Sequence, residues 1–413
     1  MRGITPFRSL PSFAPLTSLF ALALGAAALT SMSACSEDDT LGSIEPGIDG
    51  GNPLPQVDAS EEPVDGGLDD AAADAGTDAD ASILCSPDGF CHLPLPVSDS
   101  LRAVWGDGAG TVWAVSDKGD VLRWDGAAFV VHANVPSPLY TIWGSGPTDI
   151  WIGGETGIFH GQGATPASVT FTEASYVPTV PVTSIHGFGP NDVWFVGGVS
   201  GWEREEGLVL RYRGPTGDPA NDFQHDPMES EGVAFTTVWG SSPDDMWLAA
   251  TGIAADPQGA RVYHGRGDGD GGRSFELVEV HTGFGSMSLL QVVGAIHVPE
   301  TFIAGNNWWN QGNVWSGAIH PPDGDAGAVT WGGEEFAYSV RGIYGTSKND
   351  IWLVGDRGRI CHFDGTKWSP SRVTVDKFPF VKNLNGIWGA PNKKDIWIVG
   401  DGTVLRRTSG VNP

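Results

Sequence analysis

GIYGTSKNDIWLVGDRGRICHFDGTKW, residues 342 to 368, contains every part of a pattern that recurs through most of the chain. An apolar run ends in an aromatic residue, Tyr344, followed by Gly. A polar turn then leads to Asp350 and Trp352 on a second apolar run, and a third run ends near His362 before an Asp-Gly turn. Short apolar runs separated by Gly, Asn and Asp are typical of β-strands joined by tight turns. The stretch therefore predicts short antiparallel strands.

Two anchor residues identify seven copies of this pattern. The first anchor, usually aromatic, stands directly before Gly at Trp105, Trp143, His186, Trp239, Val293, Tyr344 and Trp388. The second follows eight or nine residues later at Trp113, Trp151, Trp194, Trp247, Phe302, Trp352 and Trp397. Each copy predicts four short strands, which we call A to D, and radial arrays of four-stranded sheets bury both sheet faces against their neighbours. The repeats predict an all-β fold, a seven-bladed β-propeller.

The two ends of the repeat region predict how the ring closes. The last copy stops after strand C, in TVLRRTSGVNP, and has no strand D. The segment from Gly89 to Gly106 has the layout of Ala127 to Gly144, which contains a strand D and the next strand A. We therefore expect residues from about Cys91 to Val97 to complete the last blade, because pairing strands from both ends removes an open sheet edge.

Charge and composition divide the chain into regions. The formal net charge is -27, and the segment from Ser36 to Leu84 contains fourteen acidic residues and no Lys or Arg. This charge argues against nucleic acid as a partner, because neutralising phosphates requires clustered Lys and Arg. We interpret residues 35–84 as a disordered acidic tether, since its Gly, Pro, Ala and Asp cannot form a core. A calcium site is the alternative, but no stretch matches an EF-hand loop.

Residues 1–34 have the features of a secretion signal, with two arginines before an apolar run. Small residues precede Cys35, and this ending resembles the lipobox of bacterial lipoproteins, with Met32 in place of the usual Leu. The resemblance implies that Cys35 is lipidated, and Ser36 after it implies the outer membrane. An ordinary cleaved signal or a short membrane span are the alternatives. The apolar run is short for a span, which needs about 20 residues.

The repeats of residues 85–413 resemble the WGxxxxDxWxVG repeats of propellers in bacterial envelope lipoproteins of mostly unassigned function. They are also similar to kelch repeats in the Gly-Gly pair after strand B and in a later Trp such as Trp368. They differ from WD40 repeats, whose Trp-Asp pair closes strand C, and they lack full Asp-box sequences. The resemblance implies an envelope propeller but names no ligand.

Acids and bases recur at fixed places in the copies. An acid stands two residues before the second anchor at Asp149, Asp192, Asp245, Glu300, Asp350 and Asp395. Near the end of strand C lie Arg123, His160, Arg211, His264, His320, His362 and Arg406. If Trp151 pairs with Ile158, Asp149 lies opposite His160, and such cross-strand pairs stabilise a sheet. We interpret them as structural, because a catalytic site would be unique and these surround the whole ring.

Copies three to five differ from the others in the connection between strands B and C. Each has a long B-C segment where the other copies have a short turn, and the B-C and D-A loops of a propeller share one face. Flat rings beside amide groups suit sugar or peptide recognition. The candidate ligand-binding residues are Trp202, Asn306, Asn307, Trp308, Trp309, Gln311 and Trp315. Alternatively, Trp308 and Trp309 cover the channel mouth or pack against their own loop.

The sequence therefore predicts a lipid-anchored, non-enzymatic, monomeric propeller that binds an envelope protein or glycan, without cofactor or metal. The alternative is a glycan-cleaving hydrolase or lyase that uses Glu203, Glu205 and Glu206. No nucleophile, zinc or phosphate-loop motif is present in the sequence. Cys85 and Cys91 are expected to form a disulfide in an oxidising envelope, and Cys361 is interpreted as an ordinary strand residue.

Overall fold

The computed structural model describes Cys35 and residues 84–201, 205–251, 260–267, 273–278, 291–297, 300–307, 311–317, 332–375, 378–390 and 395–408. These residues belong to one compact unit, Ser33–Pro413. The structure does not describe residues 1–34, which form the predicted signal segment, or residues 36–83, which belong to the predicted tether.

Thirty strands form in the described part of the chain. In chain order they are β1 (Phe90–His92), β2 (Leu101–Gly106), β3 (Val112–Ser116), β4 (Asp120–Trp124), β5 (Phe129–Asn134), β6 (Leu139–Gly146), β7 (Asp149–Gly154), β8 (Ile158–Gln162), β9 (Thr170–Glu173), β10 (Val182–Gly189), β11 (Asp192–Ser200), β12 (Glu205–Tyr212), β13 (Phe223–His225), β14 (Phe235–Ser242), β15 (Asp245–Ala250), β16 (Arg261–Gly267), β17 (Arg273–Val278), β18 (Gln291–His297), β19 (Thr301–Asn306), β20 (Gly312–Gly317), β21 (Gly332–Phe336), β22 (Val340–Ser347), β23 (Asp350–Gly355), β24 (Ile360–Phe363), β25 (Trp368–Ser371), β26 (Thr374–Val375), β27 (Phe378–Pro379), β28 (Leu384–Gly389), β29 (Asp395–Gly400) and β30 (Thr403–Thr408). Short 3-10 helices lie at Pro166–Ser168, Pro219–Asn221, Pro227–Glu231 and Asp356–Gly358.

The strands form seven four-stranded antiparallel sheets, which confirms the predicted seven-bladed propeller. Blades 1 to 6 are β2–β5, β6–β9, β10–β13, β14–β17, β18–β21 and β22–β25, and blade 7 is β28, β29, β30 and β1. Strands β26 and β27 form a separate two-stranded sheet. No helix within the described ranges has the length and hydropathy to cross a membrane.

Blade 7 closes the ring as the sequence predicted. Strand β1 pairs antiparallel with β30, and Phe90 lies opposite Arg407. The pairing is shorter than expected, because β1 ends at His92. The apolar side chains of Leu93 and Val97 pack instead against the cluster between blades 7 and 1. All strands of the ring therefore lie between Phe90 and Thr408.

The core lies between the blades. Seven clusters of buried side chains occur among the described residues, and each combines residues of two neighbouring blades. The second-anchor residues Trp113, Trp151, Trp194 and Trp247 are among the largest fully buried side chains. The strand B tryptophans therefore belong to the core between the blades.

The aromatic-Gly pairs of the repeats connect one blade to the next. A Cβ atom on Gly106 of blade 1 would lie 2.6 Å from Cη2 of Trp388 in blade 7, so only Gly leaves room for that indole. The same contact joins Trp105 to Gly144, Trp143 to Gly187, Ile296 to Gly345 and Tyr344 to Gly389. At these five places the first anchor of one blade packs on the Gly that follows the first anchor of the next blade. This contact explains why an anchor and a Gly recur together.

Blade 5 departs from the predicted alignment. Ile296 pairs with Phe302, as Trp239 pairs with Trp247 in blade 4. Ile296 is therefore the first anchor, and the assignment of Val293 was wrong. Only six positions separate the two anchors here, so the turn between strands A and B is two residues shorter than in blade 4. Val293 was chosen because it stands before Gly294, as the first anchors of the other copies stand before a Gly.

The predicted register between strands B and C was wrong by two residues. Trp151 pairs with His160, and Asp149 pairs with Gln162. The predicted contact nevertheless forms, because His160 Nε2 lies 2.6 Å from Asp149 Oδ1. Equivalent contacts join Arg211 to Asp192, His264 to Asp245, His362 to Asp350 and Arg406 to Asp395. In blade 5 the equivalent position is Ser316, and His320 lies outside the described residues.

Candidate functional site

The seven inner strands surround a central cavity of about 840 Å³. Backbone, apolar rings and neutral polar side chains such as Thr183, Ser184 and Thr236 line its wall. Two arginines, Arg102 and Arg341, also contribute, and none of the described lining residues is Asp or Glu. The cavity can therefore accept polar groups but supplies no carboxylate from its wall.

Four consecutive blades carry a polar pair at one mouth of this cavity. In each, a residue at the start of strand A contacts the residue that follows strand B, so the pairs lie on the face of the B-C and D-A loops. The pairs are Arg102 with Asp117, Tyr140 with Glu155, Arg341 with Asp356 and Asn385 with Asp401, in blades 1, 2, 6 and 7. We call these eight residues the rim. Blades 3 and 4 have Thr183 and Thr236 at the strand A position, so one side of the mouth is charged and the other carries hydroxyls.

The ion pair of blade 1 leaves hydrogen-bonding capacity unused. Nη2 of Arg102 lies 3.2 Å from Oδ2 of Asp117. Nε of Arg102 and Oδ1 of Asp117 are buried and have no partner among the described residues. Buried polar atoms are usually paired, and a ligand that offers both a donor and an acceptor would satisfy these two when the partly exposed side chain of Arg102 turns toward the cavity.

Hydrogen bonds fix the other rim residues. Tyr140 donates its hydroxyl to Glu155 at 2.6 Å. Burial, together with this acceptor, raises the pKa of Tyr140 to about 12, so the phenol keeps its proton at neutral pH. Asn385 donates to Asp401 and to the carbonyl of Leu101, which belongs to the neighbouring blade. The rim is therefore held in place by contacts within and between blades.

Three of the four aromatic candidates, Trp202, Trp308 and Trp309, lie outside the described residues, and so does the acid Glu203. Asn306 reaches the cavity wall, but both ends of its amide bond the backbone of Val340 at 2.8 Å. That amide joins blade 5 to blade 6.

The remaining candidates in blade 5 serve the blade itself. Asn307 and Gln311 bond each other through side chain and backbone directly after β19 and before β20. Strands β19 and β20 pair up to Asn306 and Gly312, and β11 and β12 pair up to Ser200 and Glu205, so the predicted long B-C loops were wrong for blades 5 and 3. Trp315 lies in β20, is only 4% exposed and packs between blades 4 and 5. Its indole is not available to a ligand.

The acids proposed for a glycan-cleaving activity are separate from the cavity. Glu206 accepts a hydrogen bond from Thr179 at 3.0 Å, and Glu205 accepts one from Ser200 at 3.5 Å. Neither lines the cavity. No group of three or more His, Cys, Asp or Glu in the described ranges is placed to hold a metal ion.

The sequence analysis did not select the rim, although the sequence contains its signal. The second residue of strand A and the acid that it contacts are separated by 15 or 16 positions in all four blades. Asp117, Glu155, Asp356 and Asp401 follow strand B directly, where copies three and four have Gly198 and Thr251. Comparing the copies at this position would have revealed the charged side of the mouth.

Both cysteine pairs are disulfides in the structure. Cys85 is joined to Cys91, the pairing expected from the sequence. Cys35 is joined to Cys361, so the interpretation of Cys361 as an ordinary strand residue was wrong. A sulfur in a disulfide cannot carry a thioether-linked lipid, so this disulfide and the predicted lipidation of Cys35 exclude each other in one molecule.

Solved structures with a similar fold include three from different kinds of protein. YCF48 bound to D1 peptide has a TM-score of 0.55 and 16% identity, over 79% of this chain and 100% of that one. The extracellular domain of a putative hybrid two-component system from B. thetaiotaomicron has a TM-score of 0.56 and 13% identity, over 77% of this chain and 39% of that one. The WD40 propeller domain of Doa1 has a TM-score of 0.51 and 14% identity, over 78% and 95%. No protein-family model and no curated protein matches the chain. At these identities the likeness shows the fold alone.

Proposed function

We propose that this propeller is a non-enzymatic binding module of the bacterial envelope that holds a segment of a partner protein at the rim. The carrying observation is the buried, unpaired Nε of Arg102 beside the unpaired Oδ1 of Asp117. A peptide offers carbonyl acceptors and amide donors at close spacing and can satisfy both atoms. The opposite, hydroxyl-bearing side of the mouth can bond the same backbone without a charge.

Two observations favour a protein segment over a glycan. Trp315 is buried, so blade 5 loses one of the flat rings that a sugar would stack on. A fold neighbour, YCF48, was solved with a peptide bound, which makes a peptide a natural first ligand to test. Trp202, Trp308 and Trp309 stand in the sequence between strands B and C of blades 3 and 5, and they stay candidates for the same site.

Binding is also favoured over glycan cleavage. Glycoside hydrolysis ordinarily uses two carboxyl groups on opposite sides of one bond. The described cavity wall has no carboxylate, and Glu205 and Glu206 lie elsewhere. Incubating the protein with an oligosaccharide panel should give no product, and a cleaved product would contradict a purely binding role.

Lipid attachment at Cys35 is the proposed means of anchoring, with the outer membrane as the location. It requires that Cys361 be a free thiol in the mature protein. Intact mass and thiol counting of protein from its native membrane distinguish the two states. A lipid mass with one free thiol supports the anchor, whereas two disulfides without lipid contradict it.

Photo-crosslinking at the mouth of the cavity, opposite the rim, tests the binding role. A photoreactive residue in place of Thr183 should capture a defined envelope protein from intact cells. Arg102→Gln and Arg341→Gln should each reduce capture about tenfold, the effect of losing one charged hydrogen bond. Lys367→Gln, an exposed change on the opposite face, is the matched control. Equal capture by all three variants would contradict the rim as the site.

A further inference from the structure

The connection between blades 6 and 7 exposes large apolar side chains. Its strands β26 and β27 form a hairpin that belongs to no blade. Phe378 on this hairpin is 74% exposed, and Val381 just after it is 69% exposed. These are the two highest values among the exposed large hydrophobic residues that the structure describes. This connection is a D-A connection, so it lies on the same face as the rim.

The hairpin is attached firmly to the ring. Phe380, between the two exposed residues, is 9% exposed and packs in the cluster between blades 6 and 7. Its backbone N–H donates to Val373, and its ring lies 5.2 Å from that of His92. Phe378 and Val381 are therefore presented outward by an anchored neighbour.

Two exposed cationic side chains lie beside the hairpin. Arg357 is exposed, and its backbone N–H bonds the side chain of Asn383 at 3.2 Å, which places it beside the hairpin. Lys382 is also exposed and reaches the carbonyl of Gly402 at 3.5 Å. We call Arg357, Phe378, Val381 and Lys382 the basic apolar patch.

We propose that the basic apolar patch docks on the surface of an anionic lipid bilayer. Outward apolar side chains beside cationic groups enter the boundary between headgroups and acyl chains, while the cations meet the lipid charge. The net charge of -27 opposes this only weakly, because at physiological salt charges beyond about 8 to 10 Å are screened. The cations closest to the two apolar side chains, Arg357 and Lys382, are the ones that meet the lipid charge.

A bilayer fits this patch better than a peptide does. A peptide ligand needs a groove whose walls bury its side chains, whereas Phe378 and Val381 project from a hairpin and line no part of the central cavity. A soft interface requires no complementary groove. The inference concerns a surface separate from the rim and does not depend on lipidation of Cys35.

Vesicle cosedimentation tests the proposal with residues 33–413, which keep every strand of the ring and the Cys35–Cys361 disulfide but lack the signal segment that lipidation of Cys35 requires. We expect binding to vesicles of phosphatidylcholine with 30% phosphatidylglycerol, and at least tenfold weaker binding to phosphatidylcholine alone. Phe378→Ser with Val381→Ser should weaken binding to the anionic vesicles about tenfold. Val131→Ser, an exposed change on outer strand β5, is the matched control and should bind like the parent.

A second variant separates charge from apolar contact. Arg357→Gly with Lys382→Gln should reduce binding to anionic vesicles and leave the weak binding to neutral vesicles unchanged. Glycine suits this turn, because Arg357 has a φ of 56°. Thermal unfolding confirms that each variant is folded. Absence of binding to anionic vesicles, or equal binding by the parent and the Phe378 and Val381 variant, overturns the proposal and leaves the patch to a protein partner.

Discussion

The imidazole of His264 lies flat against the indole of Trp247, with ring centroids 4.0 Å apart and planes inclined by 12°. Both rings bond the same oxygen of Asp245, at 2.8 Å from the imidazole Nε2 and 3.0 Å from the indole Nε1. The three residues satisfy one another's polar groups inside the ring. Blade 6 repeats the arrangement with His362, so it belongs to the scaffold.

Replacing His264 by Ala should destabilise the protein by about 2 to 3 kcal/mol, because the change removes the stacked ring and a hydrogen bond to a carboxylate. Urea unfolding measures this loss. His225→Ala is the control, since His225 is half exposed on the outer strand of blade 3 and should change stability by less than about 0.5 kcal/mol. Equal effects of the two changes would contradict the structural role.

Asp350 makes stability depend on pH in the acid range. The hydrogen bond from His362 lowers the pKa of Asp350 from 3.8 to about 2. Folding therefore favours the ionised carboxylate, and this contributes about 2 kcal/mol above the unfolded-state pKa. The contribution is lost as the pH falls from about 4 to about 2. We expect Asp350→Asn to lower stability at pH 7 and to flatten the decline below pH 4.

Urea unfolding at intervals between pH 2 and pH 7 measures the effect of Asp350→Asn. Glu173→Gln is the control, because that exposed side chain should leave the profile unchanged. A decline below pH 4 that is as steep in Asp350→Asn as in the parent would show that other carboxylates are responsible.

The contact between Trp388 and Gly106 predicts that one added methyl group at Gly106 lowers the stability of the protein. Gly106→Ala should destabilise the protein by about 1 to 3 kcal/mol, because the rigid indole cannot move aside without disturbing the packing between blades 7 and 1. Gly146→Ala is the matched control, since a Cβ there meets nothing within 4 Å. Thermal unfolding distinguishes them, and similar melting temperatures would contradict the proposed basis of the repeat.

Trp315 tests whether blade 5 supplies a core or a binding residue. Trp315→Phe should lower the free energy of unfolding by about 1 to 3 kcal/mol, because it leaves a void between blades 4 and 5. Capture of the partner by the photoreactive residue at position 183 should not change in the folded variant. Lost capture with an intact thermal transition would restore Trp315 as a ligand-binding residue.

The fold could be predicted from the sequence because the contacts that define it are repeated. Each Trp on strand B and each aromatic-Gly pair has the same packing role in several blades, so spacing alone identified them. Blade 5 was misread where a chance pair, Val293 and Gly294, stood three residues before the true anchor Ile296. The register between strands B and C was also missed, because stacking of His160 on Trp151 is a side-chain preference that alternation does not reveal.

The site was less predictable, since it depends on differences between copies. Length and aromatic content drew attention to blade 5, but a strand rather than a loop carries Trp315. The rim residues are short-range partners in space and lie 15 or 16 positions apart in sequence. Arg102 contacts Asp117 of its own blade rather than solvent or the next blade. That choice depends on how the blades are arranged around the ring, and the sequence of one copy does not contain this arrangement.

The contacts between an anchor and the Gly of the next blade join five of the seven pairs of neighbouring blades, and Trp388 on Gly106 joins the last blade to the first in the same way as Trp105 on Gly144 joins the first to the second. The place where the chain begins is therefore arbitrary as far as these contacts are concerned. A circularly permuted protein, with old ends joined and new ones opened in another D-A loop, would keep every one of them. The ring itself therefore has no first blade.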